Sequence, residues 1–200
     1  MKNKISITTK TGDRGESGLA NGQRLGKDSA VFEVIGNLDE VNSWLGLVAA
    51  KLGEAFAPHK QFLYQVQDTL FYIGAEIARS PKAKLQVQAV KDLEHQQALL
   101  TKELEDNWHT KFLLPGGTEL GGYLDVARTV ARRAERSTLA YHRQEPVSDI
   151  VIQYLNRLSD YLYLLRCFVN QQEQYTEKEF EAQAESSYLE KVKPQFKKRN

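Results

Sequence analysis

The chain has 200 residues, of which 41% are hydrophobic and 26% are charged, a composition typical of one folded globular domain. Its 27 basic and 26 acidic residues almost cancel, so overall charge gives no argument for a nucleic-acid partner. The sequence contains no apolar run of membrane-spanning length and no secretory signal, and its single cysteine, Cys167, excludes an intrachain disulfide, so a cytoplasmic protein is expected.

Residues 1–30 are rich in glycine, threonine and charged side chains and carry few large apolar ones. Such a segment cannot form a core-facing helix, so we predict a loop, with a short strand at 5–7. No other stretch alternates between apolar and polar residues with period two, which argues against a sheet.

Apolar residues then recur at steps of three and four through five segments, and Pro81 follows the second of them. This pattern predicts an all-α fold, an up-and-down five-helix bundle of ferritin-like type, with residues 1–170 forming a single domain. The charged residues 171–200 are expected to form a solvated helix or a frayed terminus. The predicted helical segments are 37–52, 62–77, 87–104, 118–141 and 151–169.

The fourth segment carries the densest group of charges. Arg128 and Arg132 are four residues apart and share a helix face, with Glu135 one turn further and Arg133 and Arg136 beside them. Two arginines in this arrangement repel each other unless an anion lies between them, and a phosphate chain would satisfy both. An ordinary solvated face neutralised by Glu135 explains the same spacing.

The segment Thr9–Gly15, with Lys27 beyond it, has the composition of a phosphate-binding loop, because glycines admit a close backbone approach and threonine and lysine add donors. It lacks the spacing of a Walker A loop and does not follow a strand, so neither common nucleotide fingerprint applies. A flexible N-terminal loop remains the alternative.

Two weaker groups complete the candidates. Asn156, Ser159 and Asp160 lie beside the apolar stripe of the last helix, where they could bind a nucleotide or form a polar contact between helices. Asp39 falls near the expected start of the first helix, where an acid suits the helix dipole without further function. The four histidines show no zinc-ligand spacing.

Five blocks, in order between about residues 7 and 170, resemble the PduO-type ATP:corrinoid (cob(I)alamin) adenosyltransferases. Each block alone is weakly specific, but all five in the family's order are highly specific. The blocks are Thr9–Gly15, Gly36–Ser43, Phe112–Gly117, Ala127–Arg136 and Leu155–Asp160.

The resemblance implies a five-helix bundle that forms a homotrimer with active sites between subunits. It also implies that the protein transfers the 5′-deoxyadenosyl group of ATP to the cobalt of cob(I)alamin, giving adenosylcobalamin and triphosphate, with Mg²⁺ present. A corrinoid reductase and an adenosylcobalamin-dependent enzyme are possible partners. The implied catalytic residues are Arg128, Arg132 and Asp39, with Arg128 paired to Asp39 across the subunit interface, and Phe112 would line the corrinoid. The implied ATP-binding residues are Thr9, Lys10, Thr11, Gly12, Ser17, Gly18, Lys27, Arg132, Arg133, Glu135, Arg136 and Asn156.

The chain departs from the family pattern at three places. Asp125 stands where the family usually has histidine, Arg166–Cys167 stands where it commonly has Ala-Arg, and Thr8 stands where tyrosine is usual. None of these departures removes a residue assigned to ATP. Asp125 and the charged residues after Gln171 motivate one alternative, a non-catalytic carrier or sensor of the same fold that binds ATP or adenosylcobalamin. A helical scaffold whose basic face binds a partner is a third hypothesis, which leaves the glycine-rich N-terminus unexplained.

Overall fold

The computed structural model describes residue 8 and residues 10–105 and 112–180. The predicted five-helix bundle is confirmed within these residues. The helices are α1 (Ala30–Lys51), α2 (Ala57–Ile77), α3 (Val87–Glu103), α4 (Glu119–His142) and α5 (Asp149–Gln172). A short 3₁₀ turn, Glu54–Phe56, connects α1 to α2.

Helix α1 begins seven residues earlier than the sequence analysis predicted, at Ala30 rather than Asn37. The apolar pattern already extends this far, because Val31 and Val34 are buried one turn apart on the face that continues to Leu38. Asp39 consequently lies in the third turn of α1, and the helix-dipole explanation for it is wrong.

The N-terminal segment contains a small sheet that the sequence analysis did not expect. Strands β1 (Glu16–Gly18) and β2 (Arg24–Gly26) pair antiparallel, with Ser17 opposite Leu25. Strands of three residues are too short to show a period-two pattern. The strand predicted at 5–7 lies outside the described residues.

The hairpin is attached to the bundle at one end. Leu19, at its turn, is 6% exposed, and the neighbouring Ala20 N–H donates to the Ala78 carbonyl oxygen just after α2 at 2.9 Å. Arg79 donates to the side chains of both Gln23 and Glu145. The N-terminal loop, residues 10–29, is therefore anchored where α2 ends and where α4 leads into α5.

Helix α4 runs antiparallel to both of its main neighbours. Asn37 near the start of α1 bonds Ser137 near the end of α4, while Lys51 at the end of α1 pairs with Glu119 at the start of α4. On the other side, the amide of Asn156 in α5 bonds Glu135. A polar side chain of α5 and a charged side chain of α4 thus meet along the α4–α5 seam.

Helix α5 is the central element of the core. All seven residues from 164 to 170 are buried, including the polar Arg166 and Asn170, so this part of the helix is surrounded on every side. Its Tyr161 ring packs edge-on against Phe62 of α2, with the centroids 5.3 Å apart. No helix in the described part of the chain is long and apolar enough to span a membrane.

The segment after α5 differs from the expected solvated helix. Residues 173–180 fold back on residues 112–114, where the Leu114 N–H donates to the Lys178 carbonyl oxygen at 2.8 Å and the Phe180 N–H donates to the Phe112 carbonyl oxygen at 2.7 Å. The expectation of a helix or a frayed terminus is wrong for residues 173–180, because backbone pairing and a bond from a buried arginine hold them in place, although most of these residues are exposed. Residues 181–200 lie outside the described residues.

Candidate functional site

A groove of about 290 Å³ lies between α4 and α5. Arg128 and Arg132 form one wall, one turn apart on α4, as the i,i+4 spacing predicted. The opposite wall comes from α5, which contributes Ser159, Asp160, Tyr163 and Leu164. We call this feature the α4–α5 groove.

The two arginines differ in how they are held. Arg128 Nε donates to Asp125 Oδ1 at 2.9 Å, and its side chain is only 22% exposed. Arg132 is exposed and makes no salt bridge with any described residue of this chain. The groove therefore presents one fixed guanidinium and one that is free to bind an anion.

Polar groups continue the groove along α5. The Asn156 amide donates to Glu135 Oε1 at 2.9 Å and accepts from Arg157 at 2.8 Å. Desolvation of the Asp160 carboxylate raises its pKa, and although the nearby Arg157 and Arg132 lower it, burial has the larger effect. These groups can bind a sugar or a base edge while Arg132 binds an anion.

Arg133 faces away from the groove. Its Nε donates to Asn37 Oδ1 at 3.0 Å, and its other nitrogen forms an ion pair with Glu40, so it contacts α1. Adjacent helix residues point about 100° apart, which is why Arg132 and Arg133 have different neighbours. Arg136 lies one turn beyond Arg132 and is exposed.

The N-terminal loop is organised around small residues. A β-carbon at Gly12 would lie 3.0 Å from Lys27 Nζ, so only glycine leaves the lysine side chain undisturbed. The Lys27 N–H donates to the Gly15 carbonyl oxygen at 2.8 Å, and Arg24 donates to the Thr11 carbonyl oxygen at 2.8 Å. Ser17 and Gly18 lie in β1, and Thr9 lies outside the described residues.

The structure does not bring the N-terminal loop to the groove of its own chain. The loop contacts Ala78 and Arg79 just after α2, and Arg79 in turn donates to Glu145, three residues beyond the end of α4 at His142. Arg132 is ten residues earlier, about 15 Å along the helix axis. Asp39 does not contact Arg128 of the same chain. It is exposed on α1 and makes no hydrogen bond or ion pair with the described residues.

Phe112 lies on the 112–117 loop that precedes α4, and it is 56% exposed. The loop ends in two glycines with positive φ, 115° at Gly116 and 116° at Gly117. A β-carbon on Gly117 would overlap the amide of Asn170, which donates to the Gly116 carbonyl oxygen at 3.1 Å. Glycine is thus required for the loop to reach α5.

Sequence reasoning missed the contribution of Tyr163 and Leu164, because aromatic and aliphatic residues in an apolar helix look like core. It also missed the role of Arg166, which is 1% exposed and bonded to Asp125. An arginine within the apolar run of α5 was the available signal, because a charge in such a position requires a buried partner.

Comparison with known proteins gives the same family from three directions. A model of the cobalamin adenosyltransferase family matches residues 7–169. A corrinoid adenosyltransferase of Bacillus subtilis is 37% identical over 185 residues, covering 90% of this chain and 94% of that protein. A cobalamin adenosyltransferase of Cupriavidus metallidurans is 37% identical over 177 residues, covering 85% and 91% respectively.

Among solved structures, a variant PduO-type ATP:corrinoid adenosyltransferase from Lactobacillus reuteri, complexed with cobalamin and ATP, superposes with a TM-score of 0.83. It is 31% identical, and the match covers 88% of this chain and 100% of that one. The chain has the all-α bundle of the PduO-type adenosyltransferases. It belongs to the cobalamin adenosyltransferase family.

Proposed function

We infer that this chain transfers the 5′-deoxyadenosyl group of ATP to the cobalt of cob(I)alamin, giving adenosylcobalamin and triphosphate. The observation that carries the inference is the α4–α5 groove, with a free Arg132 beside a fixed Arg128, in a chain that matches the family over residues 7–169. Residues 1–170 form the catalytic domain in this proposal, with residues 1–30 as its ATP-binding segment.

The triphosphate is the natural ligand of the arginine wall. A planar guanidinium binds phosphate oxygens through paired donors, and a leaving triphosphate gains negative charge in the transition state. Arg132 and Arg136, which make no salt bridge with the described residues, are available for this contact. Arg128 borders them, and its pairing with Asp125 fixes its direction.

The nucleoside end fits the polar α5 side of the groove. Asn156 and Glu135 are already bonded to each other and offer both donors and acceptors. From the N-terminal loop, Lys27 supplies a cation, and Lys10, Thr11 and Gly12 supply backbone and hydroxyl groups. The proposed ATP-binding residues also include Ser17, Gly18 and Thr9. Arg133 belongs to the same proposed group, although its side chain contacts Asn37 of α1.

The contacts of the N-terminal loop favour a site assembled between subunits. The loop lies against the end of the bundle in its own chain, while the groove lies about 15 Å away along α4. A homotrimer in which the loop of one subunit covers the groove of the next satisfies both observations. In that assembly the exposed Asp39 is available to Arg128 of the partner subunit.

Mg²⁺ enters the proposal as the counter-ion of ATP. Within the described residues no group of three or more carboxylate, histidine or cysteine side chains is placed to hold a metal ion. Magnesium commonly takes its ligands from substrate phosphates, water and one or two carboxylates. Asp160, which lines the groove with Arg132, is the carboxylate that fits this arrangement.

The chemistry requires positioning more than proton transfer. The electron pair of cobalt(I) forms a bond to C5′ of ATP, the C5′–O bond breaks, and its electrons leave with the triphosphate. The protein must align these atoms, stabilise the leaving charge and exclude water. The exposed Phe112 ring provides an apolar surface for the corrinoid side.

The remaining parts of the proposal rest on the same family membership. A corrinoid reductase supplies the electron that makes cobalt(I), and an adenosylcobalamin-dependent enzyme consumes the product. A cytoplasmic location agrees with the single buried cysteine. None of these steps involves nucleic acid or a membrane.

The test is an anaerobic assay with ATP, Mg²⁺ and chemically reduced cobalamin that follows the absorbance change to adenosylcobalamin. Replacing Arg132 with alanine should lower kcat/KM about 100-fold, because one donor to the developing charge is lost. Arg143→Ala, an exposed arginine just beyond α4, is the matched control and should remain within about twofold of the parent. ATP binding without turnover in the parent would favour the carrier or sensor instead.

A further inference from the structure

A buried arginine connects helix α5 to the loop that carries Phe112. Arg166 is 1% exposed and donates to two carbonyl oxygens of the 112–117 loop, Leu114 at 3.0 Å and Gly116 at 2.9 Å. These two carbonyls are two and four residues from Phe112. The guanidinium therefore sets the path of the loop, because its planar fork fixes both acceptors at once.

Asp125 continues this connection to the α4–α5 groove. One of its oxygens accepts from Arg166 at 3.1 Å and from the Gly116 N–H at 2.7 Å, and the other accepts from Arg128 at 2.9 Å. The carboxylate is 8% exposed. A single buried side chain thus contacts the groove arginine, the α5 arginine and the 112–117 loop.

Glu177 extends the series into the segment after α5. Its Oε1 accepts from Arg166 at 2.6 Å and from the Asn170 amide at 2.9 Å. The same segment is paired with the loop backbone around Phe112 and Leu114. The charges alternate in sign from the groove to this segment, in the order Arg128, Asp125, Arg166 and Glu177.

Such a cluster does not stabilise a fold efficiently, because desolvation of buried ions offsets much of their attraction, and apolar residues of the same size often do as well. The cluster does, however, form directional hydrogen bonds to specific backbone atoms. Here those atoms belong to the loop beside Phe112, and the far end of the cluster holds Arg128.

We propose that Asp125, Arg166 and Glu177 are positioning residues that hold the corrinoid-facing loop at a fixed place relative to the triphosphate groove. This inference rests on the proposed function. Their effect on the reaction is the alignment of cobalt with C5′, since Phe112 lies on the corrinoid-facing loop and Arg128 lines the triphosphate groove. Two of the departures from the family pattern, Asp125 and Arg166, are then parts of one feature, because their side chains bond each other.

The main test variant is Glu177→Gln, which removes a charge from a partly exposed position and leaves the fold intact. We expect the Kd and KM for cobalamin to rise about tenfold, while the Kd for ATP stays within about twofold of the parent. Glu173→Gln, an exposed glutamate just after α5, is the matched control and should change neither. If Glu177 had only a structural role, its replacement would raise the Kd values for both ligands and would also lower the unfolding midpoint.

Arg166→Lys and Arg166→Met extend the test. Lysine keeps the charge but cannot span two carbonyls and two carboxylates, so its cobalamin KM should lie between those of the parent and Arg166→Met. Binding is measured by spectroscopic titration with cobalamin and by calorimetry with ATP. These measurements test the inference even if the parent protein shows no turnover. Unchanged cobalamin affinity in Glu177→Gln, or equal loss for both ligands, would overturn it.

Discussion

The α4–α5 groove and the buried cluster of Asp125, Arg166 and Glu177 beside the 112–117 loop both contain charged side chains, but these side chains are held in opposite ways. In the groove, Arg132 is exposed and makes no salt bridge with the described residues. At the loop, Arg166 is buried and bonded to Asp125 and Glu177. A free charge on a rigid helix is suited to bind a ligand, whereas a saturated charge is suited to hold the protein's own backbone.

Replacement of Gly117 by alanine should produce the largest effect on stability, because this residue lies where the 112–117 loop contacts α5. The new β-carbon would overlap the Asn170 amide and would adopt a positive φ. We expect a loss of about 3 kcal/mol in the free energy of unfolding, combining steric overlap and backbone strain.

Urea denaturation measures this loss, and Gly122→Ala is the control. Gly122 lies in α4 with nothing within 4 Å of a built β-carbon, so alanine there should stabilise by up to about 1 kcal/mol. Equal effects at positions 117 and 122 would show that the loop is not held by close contact with α5.

A smaller effect, on ligand binding alone, is expected at Lys27. Replacing it with alanine should raise the KM for ATP about tenfold, because one cationic contact to phosphate is lost from a loop that is otherwise kept by backbone bonds. Steady-state kinetics with varied ATP measure the change. Lys91→Ala, an exposed lysine on α3, is the control, and a similar rise in that variant would remove the N-terminal loop from the site.

The smallest effect is expected at Arg133, and it tests whether Arg132 and Arg133 have different roles, one in ATP binding and the other in stability. Arg133→Ala removes contacts with Asn37 and Glu40 and should lower the free energy of unfolding by about 1 kcal/mol. We expect the KM for ATP to change less than about threefold, because this arginine already has partners in α1. A rise comparable with that for Arg132→Ala would mean that Arg133 exchanges its α1 partners for the nucleotide.

The helices were predictable because their buried faces repeat every three to four residues, as Val151, Leu155, Leu158 and Leu162 do in α5. The groove was predictable for the same reason, since Arg128 and Arg132 share a face that borders the seam with α5. The early start of α1 was also readable, because Val31 continues its apolar stripe.

Other features depend on contacts between distant parts of the chain. Periodicity locates Arg133 only near the core boundary, and its direction follows from Asn37 and Glu40, more than ninety residues earlier. The packing of residues 173–180 depends on Arg166 reaching Glu177 and on backbone pairing with the 112–114 segment. Composition alone suggests exposure there, which most of these residues show, but it does not indicate the backbone pairing.

The buried pair of Asp125 and Arg166 also constrains the order in which substitutions can accumulate during evolution. Arg166 can appear first, because Glu177 and two loop carbonyls already accept its hydrogens. Once both are present, losing the arginine removes one of the two cationic partners of a buried carboxylate, which then keeps only Arg128 and the Gly116 N–H. The Asp125–Arg166 pair is therefore easier to gain than to lose during evolution. We expect related sequences that lose the pair to change both positions together.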